Sequence, residues 1–192
     1  MKKNKHLKHI LLGISLWFSA WTVTQGIFMS EILFKLPIDV NISYLITTIL
    51  ILVITIISLY IYPRHRKEAL PKSKLLWLYT IPAVLLIALP SHYNMMLNIM
   101  VYIPMIVISV FWQDYLTFGM LQTFLNERVS QNKSAIIVAV VFLFGHLIFF
   151  LNDPTNPQFI LIALAGFAFA FSRRYTKSIY IANIIHTIVY LI

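Results

Sequence analysis

Cysteine is absent from the 192 residues, which excludes disulfides, thiolate metal ligands and a cysteine nucleophile. Acidic residues are scarce: Glu31, Asp39, Glu68, Asp114, Glu127 and Asp153 are all there are. Charged residues of both signs make up 11% of the chain, against about 25% in an ordinary soluble domain. No G-x-S-x-G elbow, no H-E-x-x-H pair, no internal repeat and no lipidation motif is present. What is abundant is apolar, at 60% of residues, with a mean hydropathy of +0.84. A soluble fold of this size has no interior large enough to hide that surface, and a disordered chain needs low hydrophobicity. A soluble enzyme and a disordered chain are both excluded. The reading that remains is one integral membrane domain over residues 1–192, all-α, a polytopic transmembrane helical bundle. A barrel is not expected, because no alternating pattern is visible.

Seven apolar segments can be marked, at 10–29, 43–62, 75–90, 95–125, 135–151, 159–172 and 178–192. The third, sixth and seventh are short for a full span. The fourth is long, and Pro104 is a candidate kink. The first follows Lys2, Lys3, Lys5 and Lys8 as a signal peptide would, but no good cleavage site follows it, so it reads as a retained anchor. The sixth carries Ala163, Ala165, Gly166, Ala168 and Ala170, small residues that suit close helix packing.

The net charge of +9 invites a nucleic-acid reading, which fails because the cations sit in clusters between apolar runs. With seven alternating spans and the N-terminus in the cytosol, the inner loops hold 14 of the 15 Lys and Arg residues. Arg173 and Arg174 belong to the last of those clusters, and only Lys35 falls outside. The expectation is a multi-pass protein of the cell membrane with an extracellular C-terminus.

Five of the six acids fall in loops or at segment ends, Glu31 and Asp153 among them, and Asp114 alone lies inside a segment. Of the histidines, only His146 and His186 lie well inside spans. A charge at the centre of a span costs about 2.5–3.5 kcal/mol, so Asp114 must be neutral, paired or hydrated. At about 1.5 Å per residue, Asp114 and His146 each sit about 18 Å from the inner edge, and His186 about 12 Å. The fourth, fifth and seventh segments can therefore feed one buried polar cluster. Each residue alone also suits a helix–helix hydrogen bond, and Gln113 a packing amide. Together a carboxylate and two histidines can activate water or an amine and stabilise an oxyanion. A zinc ion on His146, His186 and Asp114 is the weaker reading, since no two ligands share one helix at metal spacing, and no cofactor is expected.

Three stretches carry these residues in order. They are Gln113-Asp114-Tyr115-Leu116-Thr117-Phe118-Gly119, Phe142-Leu143-Phe144-Gly145-His146, and His186-Thr187-Ile188-Val189-Tyr190. Over residues 105–192 the chain resembles the CPBP family, the CAAX-protease and bacteriocin-processing membrane proteins. Their motifs are E-E-x-x-x-R, F-x-x-x-H and H-x-x-x-N/D. The second is intact here and the others are degenerate. The resemblance implies that the first motif acid is the base that activates water, and here that position is Gln113. The second acid is Asp114, the motif arginine is Phe118, and the last polar position is Tyr190. Tyr190 then serves either as an oxyanion donor or as an aromatic-belt residue near the outer interface.

A site that positions a carbonyl without a good water-activating base suits acyl transfer better than hydrolysis. One branch of the family, the staphylococcal-type proteins required for N-acylation of lipoproteins, fits that description. The resemblance thus implies membrane lipids and a lipid-modified protein or peptide as partners, with a second protein of the same pathway as a further partner. His146 and His186 would share the roles of base and oxyanion holder, and Asp114 would orient one imidazole. An intramembrane endopeptidase with Asp114 as base is the alternative, and a non-enzymatic bacteriocin-immunity or membrane partner protein is another.

Overall fold

The computed structural model describes residues 2–27, 32–147 and 156–192; Glu31, Asp153 and the outer ends of segments 10–29 and 135–151 lie outside them. The described residues are helical, with no strand among them, as expected of backbone that must satisfy its own polar groups in lipid. Helix α1, Lys2–Trp21, runs on as a π-helical turn, Thr22–Gly26. Asp39 accepts the Asn41 and Ile42 amides and so starts α2, Val40–Ile61. Pro63 opens the short α3, Pro63–Ala69, where its missing N–H is no loss. A 3₁₀ turn, Lys74–Tyr79, leads into α4, Thr80–Ala88. Asn98 caps α5, Ile99–Asp114. The chain continues through a π-helical run, Tyr115–Leu121, into α6, Gln122–Asn126. Then come α7, Gln131–Leu147, α8, Gln158–Thr176, and α9, Tyr180–Leu191.

Among the described residues, four helical stretches are long and apolar enough to cross a membrane: Val40–Ile61, Lys74–Ser91, Ile99–Asn126 and Gln158–Thr176. Gln131–Leu147 and Tyr180–Leu191 are shorter apolar helices. The third and sixth segments, which look short in sequence, thus belong to helices of 18 and 19 residues. The fourth segment is one continuous 28-residue helix. Its irregularity lies directly after Asp114, as the π-helical run, a form often found at functional sites.

Helix α5 with its π-helical extension occupies the centre. It packs against α2, α9 and, through the extension, α1 and α3, while α7 and α8 pair alongside. Helix α2 shows how a membrane bundle is sorted. Ser43, Thr47, Thr48 and Thr55 face inward, and Ile46, Ile49, Leu50, Val53 and Ile57 face out. Thr47, Thr48 and Thr55 each donate to the carbonyl four residues back, so their burial leaves no hydroxyl proton unpaired.

The first helix packs into the bundle. Trp17, Trp21 and Gln25 are buried. Trp17 donates to Thr117, Gln25 to the Ser109 carbonyl, and Trp112 reaches back to Thr24. Arg173 is likewise built into the bundle. It is 4% exposed and donates to the Glu68 carbonyl and to Thr123, tying α8 to α3 and α6. Arg174, by contrast, lies against Tyr175 at the surface.

Of the small residues on α8, Gly166 and Ala170 are buried, whereas Ala168 faces out. A Cβ at Gly166 would stand 2.9 Å from the Phe142 ring and 3.3 Å from the Ala139 carbonyl of α7. Overpacking of this kind costs roughly 1–3 kcal/mol. Gly166→Leu is therefore expected to lower the thermal unfolding temperature in detergent, while Ala168→Leu on the same helix leaves it unchanged. Equal unfolding temperatures for the two variants would contradict this packing.

Candidate active site

Gln113 and Asp114 are adjacent at the end of α5, so their side chains diverge by about 100° around the helix. Each meets a different partner helix. Asp114, fully buried, accepts from His186 Nδ1 through Oδ1 at 2.9 Å and from Asn183 Nδ2 through Oδ2 at 2.9 Å. Both partners lie on α9, three residues apart and hence on one face. The carboxylate therefore meets two donors on the same helix, which offsets much of the cost of burying it. Asn183 is held in turn by the Tyr79 hydroxyl, which donates to its Oδ1 at 2.8 Å.

Gln113 turns instead to α7. Its amide nitrogen lies 3.0 Å from His146 Nε2, and His146 Nδ1 lies 2.7 Å from the Phe142 carbonyl four residues back. The carbonyl only accepts, so the proton is on Nδ1. In the neutral ring Nε2 is then the acceptor of the Gln113 amide. The two histidines consequently differ. His186 presents its Nδ1–H to a carboxylate, which leaves Nε2 as the ring nitrogen that can accept a proton. His146 has its Nε2 lone pair engaged by an amide.

An aromatic wall holds both rings. Phe142 lies 4.3 Å from the His146 ring and 6.3 Å from the His186 ring, centre to centre. Phe169 covers His186 at 5.4 Å, and Trp21 approaches His146 at 5.7 Å. Phe118, at the position of the motif arginine, is fully buried and packs on Phe142 at 5.4 Å and edge-on to Phe169 at 5.7 Å. An apolar ring thus completes the wall where the motif carries a cation. Tyr190 is partly buried rather than turned outward. Its ring lies 5.7 Å from that of His186.

Gln113 and Tyr190 both line a cavity of about 260 Å³, together with Gln25, Ser109 and Tyr44. The Ser109 hydroxyl is buried and unpartnered among the described residues. The cavity therefore carries several polar groups, and its Tyr190 is the lining residue that packs on the His186 ring. The single cluster expected from depth is in fact two pairs, His186–Asp114 and His146–Gln113, joined by the Phe142 ring. No group of three His, Asp or Glu side chains able to hold a metal forms among the described residues, because His146 is bound to Gln113 rather than to Asp114. Asn183 and Tyr79 escaped the sequence reading. Asn183 had a signal, as a polar residue one turn before His186 in an apolar helix. Tyr79 had none, since it stands 104 residues from its partner.

The family model described as type II CAAX prenyl endopeptidase Rce1-like matches residues 94–192. The match takes in α5 to α9 and so every side chain of both pairs. No curated protein and no solved structure matches the chain. With just over half of its 192 residues inside that match, the chain belongs to the type II CAAX prenyl endopeptidase Rce1-like family, within the CPBP membrane proteins.

Proposed function

We propose that the protein transfers an acyl chain from a membrane lipid to the α-amino group of a lipid-modified cysteine on a bacterial lipoprotein, with His186 as the base. The observation that carries this reading is the His186 Nδ1–Asp114 pair beside Gln113. An amide cannot take a proton from water, while a carboxylate-backed imidazole can take one from an amine. His186 Nε2 accepts the amine proton as nitrogen attacks the ester carbonyl of the donor lipid. Gln113 and Tyr190, which both line the 260 Å³ cavity, offer an amide and a hydroxyl as donors to the oxyanion. Collapse breaks the ester bond, and the leaving lysolipid oxygen receives the proton from His186. One ester and one amine become one amide and one alcohol. His146, neutral and bound to Gln113, fixes that amide and is a positioning residue. The cytosolic N-terminus and extracellular C-terminus implied by the lysine and arginine clusters belong to the same proposal, as does a second protein that delivers the substrate.

A second reading is favoured by the family match: an intramembrane endopeptidase in which water replaces the amine at the same base. The two are separated by mass spectrometry of lipoprotein N-termini from intact cells, deletion cells, and deletion cells carrying His186→Ala or His146→Ala. Acyl transfer expects loss of the N-acyl group on deletion, no rescue by His186→Ala, and partial rescue by His146→Ala. Unchanged N-termini on deletion would remove the acylation reading and leave cleavage of membrane-anchored peptides. Full rescue by both variants would remove catalysis altogether, leaving a membrane partner protein.

A further inference from the structure

The stretch Lys74–Ser91 is hardly buried, and α4 within it packs mainly along α9. Between it and α2 and α5 lies a cavity of about 600 Å³, walled by Leu52, Pro82, Leu86, Val107 and Phe111. It shares no lining residue with the cavity at Gln113, and its Asn183 is a donor to Asp114. Five polar side chains also reach it: Thr55, Tyr79, Tyr180, Asn183 and Thr187. All five already donate inside the protein. Thr55 and Thr187 donate to the carbonyls of Ile51 and Asn183. Tyr180 donates to the Pro71 carbonyl, Tyr79 to Asn183 Oδ1, and Asn183 to Asp114.

The donor hydrogens of the cavity's hydroxyls are already spent inside the protein, so the surface left to an occupant is mostly apolar side chain. The volume lies within the usual range of ligand sites, about 300–1,000 Å³. Three of the helical stretches that bound it, Val40–Ile61, Lys74–Ser91 and Ile99–Asn126, are of membrane length, so the matter at hand is lipid hydrocarbon. We infer that this cavity is a binding site for one hydrocarbon chain of a membrane lipid, recognised by its tail and not by its headgroup. The site is separate from the cavity at Gln113 and Tyr190, and its occupancy does not depend on the proposed reaction. Tyr79 and Asn183 are part of its lining, so the bound chain contacts the residues that hold Asp114.

The test uses the full chain in vesicles that contain a phosphatidylcholine with a diazirine near the end of one acyl chain. Light-induced label is expected on peptides covering residues 76–86 and 107–111. Ala83 and Val107 line the cavity from opposite walls and are exposed, so enlarging either leaves the packed core alone. Ala83→Trp and Val107→Trp are each expected to lose the label on the facing wall while unfolding at the wild-type temperature. Tyr79→Phe and a change of headgroup to phosphatidylglycerol are expected to leave it in place, as is His186→Ala. Label that survives both tryptophan variants, or that follows the headgroup, would overturn the proposal. Label retained in His186→Ala with no acyl transfer in the wild type would uphold this site and sink the catalytic reading alone.

Discussion

His186→Ala is expected to cut acyl transfer to a synthetic lipopeptide in vesicles by roughly 10²–10⁴-fold, the usual worth of a positioned general base. The argument rests on one hydrogen bond. His186 Nδ1 lies 2.9 Å from Asp114 Oδ1, so Nε2 is the basic nitrogen and is aimed away from the carboxylate. Asp114→Asn should fall almost as far for a related reason. Asp114 now accepts from two donors, His186 Nδ1 and Asn183 Nδ2, and an amide offers only one oxygen. His146→Ala should cost distinctly less, because its Nε2 accepts from Gln113 and serves to hold that amide. Rates are to be compared at equal protein level with unfolding temperatures recorded beside them. Wild-type rates for His186→Ala, or a greater loss for His146→Ala, would reverse the assignment of the two rings.

Phe118→Arg, which restores the residue expected by the motif, should destabilise the protein severely. Phe118 is fully buried between Phe142 and Phe169, and those two rings wall in both histidines. A guanidinium there would lose its hydration among rings, and Asp114, four residues earlier, already accepts from His186 and Asn183. The effective cost of burying an unpaired charge is several kcal/mol. That is a large fraction of the stability of a domain, typically about 5–15 kcal/mol. The expected result is loss of folded protein from the membrane fraction, or unfolding well below the wild-type temperature. Phe118→Leu, which keeps the volume apolar, should retain most of the folded protein. A well-folded Phe118→Arg variant would mean that a counter-charge reaches this position, and the account of the aromatic wall would be wrong.

These two results bear on how a degenerate motif is read. Residue by residue, the first motif looks damaged: an amide for an acid, a shorter acid, a phenylalanine for an arginine. In three dimensions each substitution has a partner. The Gln113 amide meets an imidazole lone pair that a glutamate would not satisfy without a proton. Asp114 is close enough to receive both donors of α9. Phe118 packs where the cation would stand. The alterations fit one another, each altered side chain bonding or packing within the site.

Several conclusions were within reach of the sequence by itself. The all-α membrane class follows from composition, because so much apolar surface has no other place to go and lipid leaves backbone no other partner than its own helix. The family follows from three short motifs in order, although none is strong alone. Asp114, His146 and His186 stand out because ionisable groups inside apolar segments are costly and rare. Only the tertiary structure decided how these residues pair. Depth along a helix places side chains at a level but not around the axis, and it is the 100° step between Gln113 and Asp114 that sends one to α7 and the other to α9. The same limit hid Tyr79 and the inward turn of Tyr190, since both depend on which helices are neighbours. Helix lengths were also misjudged at the third and sixth segments, where polar ends such as Lys74 and Arg173 continue the helix beyond its apolar run. Arg173 shows the reason most plainly: hydropathy reads it as the end of a span, whereas a carbonyl from α3 and a hydroxyl from α6 make it a buried part of the bundle.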